Sequence, residues 1–531
     1  MIPFHRLRIR LALPAAFALL AAAGSAAAPP PQEKTPAAMT LKNCIVQAVK
    51  RNLGVAVQVY TSELADLAVS RSREKFLPTL GFDYGKQDQN SASYSWIDSS
   101  DQVTTNYRNY GSSFNQAIPL GGNFSISLAG YRNLTNARFQ TINPRYGSTL
   151  SFSFSQPLLK DFGWGISRKD ILVARNNRDI SESDFKRTLL DTVYSVEQTY
   201  WQLVLSIESL QVRKQSLKLA EDLFEQNRKK VQIGTLAPKE ILTVQSDVAS
   251  RKADILQAAS LVKDYTDSLK ALINSLDPTA AGGEEIVPAD LPPFEKVEIS
   301  VDEAFAAALR NRPDLKSSSL DIRNRELDYS YARNQLLPQL NLSASYWSPG
   351  LGGDRINYLD NNPLTGIIVG ITPGGSGMAL RDAFRFKYNN WSVSLSLDVP
   401  LNSVFSRAQA AQAKAALDQQ LAILKNTEQQ AYLEIRTAVR AVQTNYERVD
   451  AYKAARALAE DKLAAEQAKL EAGLTTTFVV LSYQRDVAGA KLMELSALVD
   501  YTLSIARLQK AMGTSLDQKG IRLTDAVEER S

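Results

Sequence analysis

The chain has 531 residues, and its 61 lysines and arginines against 56 acidic residues give a formal net charge of +5. It contains one histidine and one cysteine. This length exceeds that of one ordinary soluble domain, and a single cysteine excludes an internal disulfide framework.

The amino terminus has the layout of a secretory signal peptide. Arg6, Arg8 and Arg10 precede an apolar stretch at 11–23, and small residues continue to Ala28. A retained membrane anchor is the weaker alternative, because the apolar stretch is shorter than the roughly 20 residues that span a bilayer. We expect residues 1–28 to be cleaved. Losing three arginines brings the formal charge from +5 to +2, which gives nucleic acid no electrostatic attraction.

Cleavage also removes His5, the only histidine. A mature chain without histidine has no Ser-His-Asp triad, no His-ligated zinc and no histidine base. Cys44 lies well past the cleavage site in a helical pattern, so we interpret it as a packed residue and not as a lipid-modified amino terminus. We therefore expect no enzyme activity, no catalytic residues, no metal site and no cofactor.

The sequence contains a tandem repeat. Residues 40–80 and 300–340 both run from an amphipathic helix pattern to a Leu-Pro pair, and QIGTLAP at 232–238 matches EAGLTTT at 471–477. A repeat of this kind fixes the architecture before single elements are assigned. We predict a first repeat at 40–276, a proline-rich acidic linker at 277–298, a second repeat at 299–513 and a tail at 514–531.

Each repeat contains a long helix with a heptad seam, which is typical of left-handed coiled coils. The first seam falls within 167–231 and the second follows the same alternation, interrupted at Arg456. The first seam comprises Leu189, Val193, Val196, Tyr200, Leu203, Ile207, Leu210, Leu217, Phe224 and Val231. The second comprises Tyr432, Ile435, Val439, Val442, Tyr446, Val449, Leu463 and Leu470. We predict helical hairpins at 167–276 and 403–513, each with one unbroken limb and one limb in two pieces.

Alternating apolar and polar residues predict strands at about 79–157 and 339–400. A soluble sandwich shows the same alternation. Long polar segments at 86–110 and 348–389, and aromatic residues near strand ends, favour a membrane β-barrel. These aromatic residues are Tyr94, Trp96, Tyr346, Trp347 and Trp391. Two strands per repeat are too few to close a barrel, so several chains are expected. Residues 114–131 predict a further hairpin, which either adds strands to the barrel or lies against its outside. After Ala28 no long uncharged apolar run follows, so we expect strands to make any membrane crossing.

Both repeats resemble the TolC-like outer-membrane efflux protein family. The resemblance rests on the helix openings, the Leu-Pro junctions, the Gln-Pro-Leu and Val-Pro-Leu strand exits and the paired glycine turns. It implies a mainly α fold with a membrane β-barrel portion: a homotrimer with a 12-stranded barrel, or one of more strands, continued by an α-helical coiled-coil barrel. It also implies that the glycine turns meet a periplasmic adaptor. These adaptor-docking tips are Gly234, Thr235, Leu236, Gly473, Leu474 and Thr475.

The resemblance also implies a periplasmic aperture just beyond the turns. The two positions that are acidic in well-studied members are Val479 and Ser482 here, and the basic partner position is Thr475. Glu240 occupies the corresponding acidic position after Gly234. Glu240 is equally explained as a helix-start carboxylate favoured by the helix dipole. The familiar charge link is therefore absent at this aperture.

We interpret the chain as a passive outer-membrane exit duct of a tripartite efflux or type I secretion system. Its expected partners are a periplasmic adaptor, an inner-membrane transporter and outer-membrane lipid, with the helical part in the periplasm. A structural coiled-coil envelope protein without a pore is the first alternative, and a soluble periplasmic binding protein is the second. The residues do not distinguish export of small molecules or metals from export of proteins.

Overall fold

The structure is a computed structural model that describes residues 37–93, 101–234, 237–276 and 286–522. The predicted signal peptide and the aromatic residues Tyr94 and Trp96 lie outside the described residues. Helices and strands alternate along the chain.

The first repeat begins with a short strand and two helices, continues through four strands and ends in two long helices. Its elements are β1 (Ala37–Met39), α1 (Leu41–Arg51), α2 (Leu53–Arg73), β2 (Thr79–Ala92), β3 (Gln102–Ala117), β4 (Asn123–Thr135), β5 (Ile142–Pro157), α3 (Trp164–Ser167), α4 (Lys169–Gln232) and α5 (Lys239–Leu272). The second repeat has the same order with fewer long strands. Its elements are β6 (Ile286–Pro288), α6 (Val301–Asn311), α7 (Pro313–Asn334), β7 (Gln339–Tyr358), β8 (Ile368–Thr372), α8 (Ser376–Phe384), β9 (Asn390–Asp398), α9 (Val404–Glu471), α10 (Thr477–Met512) and α11 (Ser515–Lys519).

The helices form the hairpins that the limb lengths predict. The unbroken limbs α4 and α9 have 64 and 68 residues, or roughly 100 Å each at about 1.5 Å per residue. In the strand-side half, the helices contact one another in the order α2, α4, α7, α9. In the other half, α5 and α10 take the places of α2 and α7, so four helices lie side by side throughout.

The heptad seams form the helical core where the two halves meet. Leu189, Val196, Tyr200 and Leu203 of α4 are fully buried in one cluster, and α9 supplies Ile435 to another. Farther along α4, the seam residues from Leu210 to Val231 are only half-buried in the single chain.

The interruption of the second seam at Arg456 is explained by an ion pair. The guanidinium Nη1 of Arg456 lies 2.9 Å from Oε2 of Glu494 on the adjacent helix α10. A long cationic side chain is accommodated here because its charge reaches a partner beside the seam.

The described part of the segment predicted as a linker, 286–298, begins with a strand. Residues 286–288 form β6, which pairs in parallel with β1. Asp290 accepts hydrogen bonds from the backbone N–H of Leu41 and from the hydroxyl of Tyr200, at 2.6 and 3.0 Å. Burial of the Tyr200 phenol raises its pKa to about 12. The segment therefore fastens β1 and the first residue of α1 to the middle of α4.

The sheet contains more strands than the sequence predicted. Its antiparallel order is β2-β3-β4-β5-β7-β9, and the short strand β8 pairs with the far end of β7. The prediction of two strands per repeat was wrong for the first repeat, which has four. The predicted hairpin at 114–131 is part of this sheet and turns at 118–122.

The two long polar segments contain more strand than the sequence suggested. Much of 86–110 extends β2 and β3, and the start of 348–389 extends β7. These extensions carry polar residues on both faces, so they show no alternation, yet their backbones pair along the full ladder. Among the described residues, none of the helices is both long and apolar enough to cross a membrane.

The six long strands share one apolar and one polar face, as the alternation predicts. An apolar row of directly paired residues crosses all six strands and consists of Leu80, Phe114, Ile126, Phe152, Tyr346 and Trp391. The next row, on the opposite face, consists of Thr79, Asn115, Ser125, Ser153, Ser345 and Ser392. Pairing therefore keeps the period-two pattern in register across the whole sheet.

The contact between Tyr200 and Asp290 can be tested by Tyr200→Phe. The substitution removes the hydroxyl that bonds Asp290 and the carbonyl oxygen of Met39, and we expect a loss of about 1–3 kcal/mol of stability. The thermal unfolding midpoint of the purified protein measures this loss. Tyr194→Phe is the control, because Tyr194 lies six residues earlier on α4 and contacts Lys510 through its ring. Equal midpoints for the two variants would show that this hydrogen bond contributes nothing.

Candidate functional site: the helical tips

The two helical hairpins end in glycine turns. Gly234 and Gly473 have φ values of +81° and +72°, a left-handed conformation that glycine adopts without steric cost. A Cβ added at either glycine would meet no atom within 4 Å, so backbone conformation alone accounts for glycine at these turns. After Gly473, the N–H of Leu474 donates to the carbonyl oxygen of Lys469 at 2.8 Å, which closes the end of α9.

The tips expose apolar side chains. Leu474 is 78% exposed, and sequence reasoning missed Ile233, which is 74% exposed directly before the first glycine turn. Leu242 and Phe478, in the opening turns of α5 and α10, are also more than half exposed. These residues lie outside the heptad seams, so no periodicity marks them. The predicted tip residues Thr235 and Leu236 lie outside the described residues.

Thr475, predicted as a tip contact, holds its own hairpin together. Its hydroxyl is hydrogen-bonded to the carboxylate of Glu466 in the last turns of α9, and this bond together with Lys469 lowers the pKa of Glu466. Lys469 Nζ lies 3.1 Å from Glu466 Oε2. The side chain at the family's basic position therefore stabilises the turn within one hairpin.

The predicted aperture residues lie near the tips on two different helices. Glu240 is in the first turn of α5, while Val479 and Ser482 are in the first two turns of α10. All three are half-buried in the single chain. These positions lie close to the helix starts, and the second hairpin supplies no carboxylate at 479 or 482.

A buried hydrogen bond joins the two hairpins close to the tips. Asn227 of α4 is 2% exposed, and its side-chain amide donates to the hydroxyl of Thr477 at 3.1 Å. Thr477, the first residue of α10, is also buried. A buried amide without a partner would be costly, so this contact fixes the start of α10 against α4.

A buried charged cluster joins the hairpins farther from the tips. Arg251 is 5% exposed, and its Nε donates to Oδ2 of Asp247 at 2.6 Å. Its Nη1 donates to the carbonyl oxygen of Ser216 on α4 at 2.8 Å. Arg485 of α10 lies 3.2 Å from the other oxygen of Asp247. Asp247 therefore receives one cation from each hairpin.

Only the contact between Asp247 and Arg251 can be recognised from the sequence. Asp247 and Arg251 have the i, i+4 spacing of an ordinary exposed helical ion pair. Arg485 belongs to the other repeat, and no local pattern relates it to Asp247. Burial and the third partner emerge only from the packing of α5 against α10.

Two hairpins about 100 Å long, continued by a sheet with one apolar and one hydroxyl-bearing face, define an elongated envelope channel body. The chain belongs to the outer membrane efflux protein family, whose model matches residues 44–275 and 305–514. This match confirms the predicted family and the assignment as an outer membrane efflux channel. The non-pore coiled coil and the periplasmic binding protein are set aside.

Known relatives match most of the chain. Outer membrane protein TolC of Vibrio cholerae serotype O1 is 23% identical over 391 residues, which cover 71% of this chain and 79% of that protein. A Pseudomonas aeruginosa membrane protein superposes with a TM-score of 0.66 at 17% identity, covering 89% of this chain and 92% of the other. The CmeC outer membrane channel of Campylobacter jejuni gives 0.63 at 18% identity, with 91% and 90% covered. These two structures share the fold.

The charged cluster predicts a clear difference between two neighbouring substitutions. Arg251→Met breaks a buried pair and leaves Asp247 with only Arg485, so we expect a loss of about 3 kcal/mol of stability. Lys252→Met removes an exposed pair with Glu221 and should cost less than about 1 kcal/mol. Thermal unfolding midpoints of both variants measure the difference. A midpoint for Arg251→Met as high as that for Lys252→Met would contradict a stabilising role.

Proposed function

We propose that three copies of this chain form a continuous passive duct across the outer membrane and the periplasm. The observation that carries the proposal is that the sheet and the helical layer both end in surfaces that one chain cannot cover. The duct takes its driving energy from an inner-membrane transporter and reaches that transporter through a periplasmic adaptor.

The sheet has two unpaired edges. β2 and β9 are its terminal strands, and both expose large apolar residues, with Phe82 83% and Trp391 72% exposed. Long open edges with apolar side chains are a hazard that closure into a barrel removes. Pairing of β2 in one chain with β9 in the next would close the barrel.

The helical layer has a matching uncovered seam. Its members on α2 recur at alternating spacings of four and three, and each is more than half exposed: Leu53, Val57, Tyr60, Leu64 and Leu67. The opposite edge of the layer is α9, whose strand-side half exposes alanines at 408, 411, 415 and 422, with Asp418 between the last two. Large side chains of a coiled-coil seam seat well against small ones, which supports packing of α2 on α9 of the next copy.

The faces of the sheet suit a membrane barrel in the outer membrane. Its apolar face is appropriate for lipid, and its serine-rich face for a water-filled lumen. The long helices extend from one end of the sheet, so the helical part would lie in the periplasm. We assign no catalytic residue and no cofactor to this duct.

The tips are proposed as the adaptor-docking surface. Ile233 and Leu474 present apolar side chains at the ends of both hairpins, and exposed apolar side chains of this kind mark protein interaction sites. Gly234, Gly473 and Thr475 shape the turns, while Thr235 and Leu236 complete the predicted surface.

We propose that Glu240, Val479 and Ser482 line the narrowest part of the periplasmic mouth. Three chains would bring three copies of Glu240 to this level, without a second ring of carboxylates from α10. A single ring attracts cations less strongly than two rings, so the mouth would be weakly cation-selective.

The duct itself is tested by fractionation and conductance. A detergent-resistant trimer in outer membranes that conducts ions in planar bilayers is expected. A soluble or non-conducting protein would refute the proposal. Whether an antiporter-type pump or an ATP-driven exporter is encoded nearby would show which transporter it serves.

Charged tips should uncouple the duct from its adaptor. Leu474→Glu, alone or with Leu236→Glu, is expected to abolish export while trimers still assemble. Loss of one anchoring apolar side chain costs about 2 kcal/mol at a typical interface, or roughly thirtyfold in adaptor affinity. Pull-down of the adaptor and export in cells measure the effect, with Leu474→Met as the matched control. Normal export by the charged variant would remove the tips from the docking surface.

A further inference from the structure

The number of strands that one chain contributes determines the width of the exit. Six long strands pair without interruption from β2 to β9. We propose that three chains close a barrel of eighteen strands, wide enough for bulky hydrated solutes that a twelve-stranded barrel would exclude. This inference rests on the proposed trimeric duct and replaces the twelve strands that the sequence suggested.

The central hairpin β3–β4 is integral to the sheet. β3 pairs with β4 from Thr105 to Ala117, and β4 continues the ladder onto β5. Phe114 and Ile126 fill the apolar row between Leu80 on β2 and Phe152 on β5. A hairpin lying outside the barrel would interrupt both the apolar row and the polar row. The alternation of apolar and polar residues along β3 and β4 therefore fits a barrel wall with lipid on one side and water on the other.

Tyrosine–glycine pairs set the register of this hairpin on both sides. Tyr110 of β3 lies directly opposite Gly130 of β4, and Tyr131 of β4 lies opposite Gly147 of β5. A Cβ on Gly130 or Gly147 would come within 2.3 Å of the facing tyrosine ring. Aromatic side chains that cover cross-strand glycines fix sheet register. A tyrosine–glycine pair occurs both between β3 and β4 and between β4 and β5. The sequence therefore specifies the register of both strand pairs.

The turn of the hairpin is fixed to the junction between sheet and helices. The carbonyl oxygen of Leu120 accepts hydrogen bonds from the N–H of Gly163 and from the side-chain amide of Gln156, both at 3.2 Å. Gly121 has a φ of +98°, and a Cβ there would lie 2.2 Å from the carbonyl oxygen of Asp161. The hairpin is thus anchored where β5 leads into α4.

Strand number sets the lumen. With strands about 4.8 Å apart and tilted by about 40°, eighteen strands give a backbone diameter of roughly 36 Å, against roughly 24 Å for twelve. Side chains narrow both figures by a similar amount. The lumen face carries mainly hydroxyl and amide groups, such as Asn115, Ser125 and Ser345. The exit would therefore admit bulky polar solutes with little regard to charge.

The width is tested with neutral polymers. Polyethylene glycols of graded size, added only on the barrel side of trimers in planar bilayers, lower the conductance when they enter the barrel. The comparison is a variant that lacks 103–136 and so joins β2 to β5 with the alternation preserved. We expect the native barrel to admit polymers at least about 1.5-fold wider than the variant admits. Equal cut-off sizes would refute the larger barrel.

Disulfide cross-linking tests, without the deletion, whether β2 of one chain lies beside β9 of the next. Leu80→Cys on β2, combined in turn with Val393→Cys, Leu395→Cys or Leu397→Cys on β9, should link neighbouring chains into covalent trimers. Native Cys44 can remain, because it is fully buried and burial raises its pKa to about 11.

Ile126→Cys on β4 is the matched control for these cross-links. It should give no links between chains in combination with the same β9 cysteines, because β4 is an inner strand. Links from Ile126→Cys and none from Leu80→Cys would make β4 the edge strand and would overturn the count of six strands alone. A hairpin β3–β4 outside the barrel would leave the Leu80 links unchanged, and the polymer cut-off is the measurement that excludes it. Absence of any outer-membrane trimer would instead refute the proposed duct.

Discussion

The constraint on which the rest of this structure depends is that a sheet in lipid cannot leave backbone groups unpaired. The described sheet ends in β2 on one side and β9 on the other. Its apolar face is covered by α8 and Phe386 at β5 and β7 but is exposed in the single chain at both edge strands. In the proposed duct, closure comes from other copies. The helical layer also has two open edges, because the exposed seam of α2 lies at one edge and the exposed alanines of α9 lie at the other.

Within one chain, stability comes from the middle of the helical layer. The α4 seam is fully buried at Leu189, Val196 and Leu203, where α1, α2 and the segment after the first repeat converge. There the contact of Tyr200 with Asp290 secures strand β6 beside β1. Toward the tips the α4 seam is only half-buried in the single chain. The stability of the tip-side half of the helical layer therefore depends more on contacts between the two hairpins and, in the proposed duct, between copies.

Patterns that repeat along the chain could be predicted from the sequence, whereas contacts between distant segments could not. The heptads gave the long helices, and the Leu-Pro junctions gave the points where helices become strands. The outer parts of β2 and β3 were missed because polar residues occupy both faces there, and only cross-strand pairing keeps them extended. At the tips, glycine marked the turns, but nothing local related Asp247 to Arg485 or Asn227 to Thr477.

Those two distant contacts bear on how the mouth of the duct can widen. Moving α10 away from α4 and α5 would separate Thr477 from the buried amide of Asn227 and Arg485 from the buried carboxylate of Asp247. Each leaves a polar group without one of its partners in a nearly dry environment, at a cost of about 1–3 kcal/mol. In the described part of the tips, Ile233 and Leu474 are exposed, and Thr475 is bonded within its own hairpin. In the proposed duct, widening would therefore meet its main resistance inside each chain, at these two contacts, and an adaptor docked on the tips would have to overcome it there.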